Sequence, residues 1–159
     1  QSLPLEMGDW RAVVAGDGEI HEAMQLAAQL GIASQVEFPG WVKQDEITRL
    51  LRTADVLVLP SYAENLPMSV IEAMAAGLAI IATPVGAVSD IVQDGLTGLL
   101  VPPGDVEALG RALRTLIQAP ELRLRLGMAA QNYQRENLTL SRYADRLVKI
   151  WKEDGKRLP

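Results

Sequence analysis

The chain has 159 residues, 48% of them hydrophobic and only 4% aromatic, with a formal net charge of −5. That is enough apolar chain for one domain with a core of Leu, Val, Ile and Ala, and the acidic balance argues against a nucleic-acid partner, which favours an excess of Lys and Arg. With no cysteine, a disulfide framework and a Cys-ligated metal site are excluded, and a reducing, cytoplasmic setting fits.

Short β-branched runs alternate with helical patterns. Residues 11–15, "RAVVA", read as a strand that ends at Gly16. Residues 19–30 place apolar side chains at helical spacing, and Gly31 stops them. "QVEFPG" (35–40) reads as a strand running into a turn, and 44–54 as a helix with Asp45 as cap or first-turn acid. "DVLVLP" (55–60) is continuously apolar, as expected of a strand buried on both faces. A helix follows Pro67, then a second buried strand at 78–83, a short helix at 88–94 ended by Gly95, and a strand and turn at 97–105. Three helices close the chain, at 105–119, 121–136 and 140–153, with Pro120 between the first two and Thr139 or Ser141 capping the last. Five strands alternating with helices predict an α/β fold, a Rossmann-like parallel sheet covered on both faces.

In open parallel sheets ligands bind beyond the carboxyl ends of the strands. The segments placed there are 16–19 "GDGE", 40–43 "GWVK", 61–69 "SYAENLPMS", 83–87 "TPVGA" and 102–105 "PPGD". Glycines are common among them and let a ligand approach the backbone, although any strand-to-helix turn also uses glycine. Neither the dinucleotide fingerprint nor the Gly-Lys-Ser/Thr phosphate loop is present: the third glycine of the fingerprint would fall at His21. His21 itself lies early on an amphipathic helix and reads as a surface residue.

The stretch around Glu64 says more. Pro67 suits a first helical position, leaving Met68 and Ser69 in a first turn whose free N–H groups favour anions, phosphate above all. Glu64 precedes that helix start and Glu72 follows it by about 1.4 turns. Carboxylates accept hydrogen bonds from hydroxyls, so two of them around a phosphate-facing helix end suit a sugar–phosphate–nucleoside ligand. The plainer reading is a loop acid that favours the helix dipole and an exposed helix glutamate. Against the latter, Ile71, Ala73, Met74, Ala75 and Ala76 make Glu72's helix almost wholly apolar.

Residues 59–105, "LPSYAENLPMSVIEAMAAGLAIIATPVGAVSDIVQDGLTGLLVPPGD", closely resemble the signature region of the group 1, or family four, retaining glycosyltransferases, whose hallmark is Glu-x7-Glu. Similarity to "VVAGDGE", to "VEFPGWVKQDEITRLLRTADVLVLPS" and to the closing helices extends it over residues 10–152. The resemblance implies one half of a GT-B fold: the donor-binding domain of an enzyme that transfers a hexosyl group, with retention, from a nucleoside-diphosphate sugar such as a UDP- or GDP-hexose to a hydroxyl of a glycan, polysaccharide or lipid-linked acceptor. On that resemblance Glu64 contacts the transferred sugar as the catalytic-site carboxylate. Glu72 holds the ribose, and Asn65, Leu66, Pro67, Met68 and Ser69 bind sugar and phosphates. Gly40, Trp41 and Val42 flank the base, and Gly16, Asp17 and Gly18 let the donor approach the sheet edge.

There are departures. Asn65-Leu66-Pro67 stands where Gly-Phe-Gly is common, Gly86-Ala87 where Gly-Gly is usual, and Asp90 where Glu is usual. The family's donor domain opens with a further strand followed by Gly-Arg and a Lys that neutralise the diphosphate. Residues 1–9 hold no Arg or Lys, and Trp10 already adjoins "RAVVAGDG". The expectation is therefore a single donor-binding domain over 1–159, truncated at its N-terminus, without its acceptor domain and inactive alone. The first residues show no signal-peptide pattern, and no apolar run reaches the ~18 residues of a membrane span.

No metal or other cofactor is expected, since the chain has no Asp-x-Asp and no His/Asp cluster. Helix 140–153 carries Arg142, Arg146, Lys149 and Lys152 beside Tyr143, Leu147, Ile150 and Trp151. Its apolar face is expected to pack on the sheet or on the acceptor domain, with membrane contact of the full enzyme left open. The rival readings are a non-catalytic nucleotide-sugar-binding module, a GT-B-shaped epimerase and a receiver-type signalling domain. A retaining glycosidase is disfavoured, because its paired carboxylates do not need a phosphate-binding helix start.

Overall fold

The structure is a computed structural model that describes residues 10–154, with side chains to residue 152. Among the described residues five strands alternate with helices and two further helices close the chain: β1 Ala12–Ala15, α1 Ile20–Gln29, β2 Val36–Gly40, α2 Gln44–Thr53, β3 Val56–Leu59, α3 Met68–Ala76, β4 Ala79–Ala82, α4 Val88–Ile91, β5 Leu99–Leu100, α5 Val106–Gln118, α6 Pro120–Asn137 and α7 Leu140–Asp154. Every strand pairing is parallel. The parallel α/β class expected from the alternation is what is observed, and each strand lies within the run that predicted it. The hydrogen bonds divide the strands into a pair, β1–β2, and a triplet ordered β3–β4–β5.

The core lies around β4, whose four residues are all buried. Under one face sit Val70, Ala73 and Met74 of α3 with Val88, Ile91 and Ala130. Under the other sit Ala112 and Leu116 of α5 with Leu126 of α6. Each fully buried Leu, Ile or Met contributes about 1.5–3 kcal/mol of transfer free energy. β3 departs from its expected burial on both faces: all four residues are half-buried, since only β4 pairs with it among the described residues.

Helix α6 clamps the triplet. A Cβ on Gly127 would come within 2.1 Å of the Gly77 carbonyl oxygen, so only glycine lets α6 approach the α3–β4 turn this closely. Four residues on, Gln131 Nε2 donates to the Ala75 carbonyl at 2.9 Å and satisfies an open end of α3. Arg123 does the same for α5, donating through Nη1 to the carbonyls of Leu116 and Ile117 at 2.5 and 3.0 Å.

The helix ends follow local chemistry. Gly31 and Gly77 take positive φ at the ends of α1 and α3. Asp105 caps α5, its Oδ1 accepting from Ala108 N at 2.8 Å. Thr139 Oγ1 accepts from Arg142 N at 3.3 Å at the start of α7, which decides between the two expected caps. Asp45 is a first-turn acid, the cap position being Lys43. The helix expected over 88–94 stops at Ile91, because Val92 is already extended and Gly95 belongs to the next turn. Leu140, Tyr143, Leu147, Ile150 and Trp151 of α7 are all exposed, so of the two packing partners expected for its apolar face the sheet is not one among the described residues. No described helix is long and apolar enough to cross a membrane.

Candidate functional site

The carboxyl end of the triplet gathers three loops. The loop after β3 carries Ser61 to Pro67, the loop after β4 carries Thr83 to Ala87, and the turn after β5 carries Pro102 to Asp105. Glu64 is half-buried among them. Ser61 Oγ donates to Glu64 Oε1 at 2.7 Å, which fixes one rotamer of the carboxylate. Thr83, 1% exposed, donates from Oγ1 to the Ser61 carbonyl at 2.5 Å. The end of β4 thus holds the residue that holds Glu64.

Gly86 braces the same loop. It sits at φ +55°, and a Cβ there would lie 2.0 Å from the Glu64 carbonyl oxygen and 2.9 Å from that of Asn65. The next residue, Ala87, donates its N–H to the Asn65 carbonyl at 2.9 Å. Tyr62, 78% exposed, lies against the third loop: a Cβ on Gly104 would meet its ring and hydroxyl at 3.3 Å.

Pro67 stands one position earlier than expected. It is the N-cap of α3, in extended conformation, and Met68 is the first helical residue. The Val70 and Ile71 N–H groups turn back to the Pro67 carbonyl, and among the described residues no side chain caps this end. The N–H groups of Met68 and Ser69 remain open, and both residues are exposed. Glu72 is half-buried on the second turn, its carboxylate bonded to no group among the described residues. The apolar character of α3 is therefore one-sided: Val70, Ala73 and Met74 are buried, while Ala75 and Ala76 are exposed.

The remaining candidates lie at the carboxyl end of the pair. Gly16 N donates to the Gly40 carbonyl at 2.9 Å, which joins the Gly16–Asp17–Gly18 turn to the Gly40–Trp41–Val42 segment. Gly16, Gly18 and Gly40 all have positive φ. Trp41 is 79% exposed. A cleft of about 190 Å³ is lined by Val14, Gly16, Asp17, Glu19, Ile20 and Phe38 among others. His21 is an exposed residue on α1, bonded through Nε2 to Gln25 at 2.9 Å, as the sequence suggested. No group of three or more metal-ligating acids or histidines occurs among the described residues.

Sequence reasoning thus marked the two glutamates and the glycine turns, but it missed Ser61, Thr83 and Gly86 as the supports of Glu64. Ser61, three residues before Glu64, was within reach of a local reading. Thr83 and Gly86 lie some twenty residues away in sequence and become neighbours only through the β3–β4 pairing.

Comparison with known proteins places the chain in a family. Residues 2–133 match the family described as "Glycosyl transferases group 1". The D-inositol 3-phosphate glycosyltransferase of Streptomyces griseus is 44% identical over 106 residues, covering 67% of this chain and 22% of that protein. The crystal structure of the C-terminal domain of the glycosyl transferase group 1 family protein LpcC from Francisella tularensis superposes with a TM-score of 0.78 at 29% identity, covering 85% of this chain and 73% of that domain. Anabaena HepE, crystallised with UDP, has a similar fold: TM-score 0.82 at 23% identity, covering 91% of this chain and 41% of that one. The chain spans only about a fifth to two fifths of the length of the curated relatives it matches.

Proposed function

The chain belongs to the group 1 glycosyl transferases and corresponds to their C-terminal domain, and from that premise we propose that it binds the nucleoside-diphosphate sugar from which a larger enzyme transfers a hexosyl group with retention. The observation that carries the reading is the placement of Glu64. It is oriented by Ser61 and stands ahead of the uncapped start of α3, with Glu72 one turn inside. A helix start with open N–H groups favours phosphate oxygens. A carboxylate on either side accepts hydrogen bonds from sugar hydroxyls. The solved relative with UDP bound shares this fold.

Each candidate then has a role. Glu64 accepts from hydroxyls of the transferred hexose and orients it, and Glu72 accepts from the ribose. Asn65 to Ser69 surround the phosphates and sugar, with the Met68 and Ser69 N–H groups as donors. Gly40, Trp41 and Val42 flank the base, and Gly16, Asp17 and Gly18 admit the donor to the sheet edge. Charge building on the departing diphosphate is met by helix N–H groups and by cations outside this chain, with no metal or other cofactor required. Positioned charge of this kind is often the largest catalytic contribution. The isolated chain is therefore inactive in transfer. The acceptor hydroxyl, of a glycan, a polysaccharide or a lipid-linked sugar, is bound by a separate N-terminal domain. The enzyme works in the cytoplasm, and any membrane contact is made by the assembled protein.

Calorimetric titration of UDP, GDP, ADP and their glucose and mannose conjugates into the chain and into Glu72→Ala tests this. Millimolar or tighter binding of one nucleotide series, lost in Glu72→Ala, is expected. Equal binding of the wild type and the variant would overturn the assignment of Glu72.

A further inference from the structure

We propose, resting on the donor reading above, that the exposed ring of Tyr62 is a stacking platform for a pyranose sugar beside Glu64.

The loop after β3 is braced at two places. Glu64 and Asn65 lie on Gly86 of the turn after β4, and Tyr62 lies on Gly104 of the turn after β5. The loop thus spans the ends of all three strands of the triplet. Tyr62 and Glu64 are two residues apart, so their Cα atoms are at most about 7 Å from each other. Ser61, next to Tyr62, donates to the Glu64 carboxylate at 2.7 Å. One short braced segment therefore carries both an aromatic ring and an oriented acceptor for hydroxyls.

The ring is positioned but not buried. A Cβ on Gly104 would meet Cε1 and Oη of Tyr62 at 3.3 Å and Cζ at 3.7 Å, all at the tip of the ring. Gly104 sits at φ +76°, so glycine both makes the turn and leaves room for that tip. Held there, Tyr62 is 78% exposed, which leaves the faces of the ring open to solvent. Its hydroxyl bonds to no protein group among the described residues. Tyr133 is the contrast: it is half-buried, and its hydroxyl donates to the Asp90 carbonyl at 3.2 Å. Tyr133 holds α6 on α4, whereas an aromatic left mostly in water adds little to a core.

An open, positioned ring face suits a sugar. The π face of an aromatic ring carries partial negative charge. One side of a pyranose gathers axial C–H bonds, apolar and slightly positive, while its hydroxyls project around the rim. A ring face under the C–H side and a carboxylate at the rim match both surfaces at once. Tyrosine offers that face at low entropic cost, with two side-chain torsions to fix. The base has its own exposed aromatic, Trp41, at the carboxyl end of the pair, and a phosphate finds no donor on a ring face. Two sources supply such a sugar, the hexose of the donor and the ring of the acceptor, and each has its own arm in the experiment.

The test uses the chain with isotope-labelled tyrosine rings, the Tyr62 signals being those absent from Tyr62→Phe. Nuclear Overhauser contacts from the Tyr62 ring are sought to the hexose protons of UDP-glucose, and separately to methyl α-glucoside in the presence of UDP. Contacts to sugar C–H protons are expected, and none to uracil. Contact with UDP-glucose places the donor hexose on the ring, and contact with the glucoside alone places the acceptor there. In titrations, the sugar that makes the contact is expected to bind about two- to tenfold more weakly to Tyr62→Leu and unchanged to Tyr62→Phe. Bare UDP affinity and the thermal midpoint should stay as in the wild type for both variants. Binding of UDP with no contact from Tyr62 to either sugar would overturn the proposal. So would equal weakening of UDP and the sugar by Tyr62→Leu, or a loss in Tyr62→Phe as large as in Tyr62→Leu, which would make the hydroxyl the interacting group. If neither UDP nor UDP-glucose binds, the donor reading fails and the platform with it.

Discussion

Gly86 and Glu64 touch so closely that the first has no room for a side chain: a Cβ on Gly86 would fall 2.0 Å from the Glu64 carbonyl oxygen. The β4–α4 turn is therefore part of the Glu64 loop, although the two are separate in sequence. Gly86→Ala adds both that clash and the strain of a side chain at φ +55°. It is expected to destabilise the chain by about 1–3 kcal/mol, lowering Tm by several degrees in a thermal melt. Nucleotide-sugar binding should weaken further than stability alone explains, and unchanged binding would show that the loop does not form the site.

Ser61 supplies the only hydrogen bond to the Glu64 carboxylate among the described residues. A bond to a charged acceptor contributes about 1.5–3 kcal/mol at most, and less where solvent competes. Ser61→Ala is expected to leave the fold intact and bare UDP binding unchanged, while erasing any gain in affinity from an attached sugar. Calorimetry with UDP and UDP-glucose separates these outcomes, and equal losses for both ligands would place Ser61 in phosphate binding.

The close packing of α6 on the α3–β4 turn makes Gly127 a stability position. Gly127→Ala would press a methyl group into the Gly77 carbonyl, an overpacking that costs about 1–3 kcal/mol or more. Gln131→Ala removes the donor to the Ala75 carbonyl, at a cost of about 0.5–1.5 kcal/mol. Urea midpoints should rank wild type above Gln131→Ala and Gln131→Ala above Gly127→Ala. The reverse order would mean that α6 can shift without loss.

On α2, the Arg49 guanidinium hydrogen-bonded to Glu46 holds the Glu46 carboxyl below its ordinary value and raises Arg49 above its own. A depressed carboxyl contributes stability above its unfolded pKa and loses it as the pH falls through the folded value. Glu46→Gln should therefore differ from the wild type at neutral pH and converge with it in acid. The pair is solvent-exposed, so the difference is expected to be small and to shrink in high salt. Melts at pH 7 and pH 3, with and without added salt, measure it.

Much of this protein was legible in its sequence, because the signals are local. Runs such as "DVLVLP" and "LAIIAT" carry strand chemistry wherever they lie, and Gly31, Gly77 and Asp105 end or begin helices through their own conformational and hydrogen-bonding preferences. The eight-residue spacing of Glu64 and Glu72 is likewise a one-dimensional fact, as is the helix start that separates them. The supports of Glu64 are not local. Thr83 reaches the Ser61 carbonyl and Gly86 meets the Glu64 carbonyl only because β3 and β4 pair in one register. The division of five similar strands into a pair and a triplet was equally unreadable, since which apolar edges meet depends on crossover geometry and not on the composition of any strand. Sequence determined which segments become strands and helices and which residues carry the chemistry; the long-range pairing of backbone edges decided what holds those residues in place.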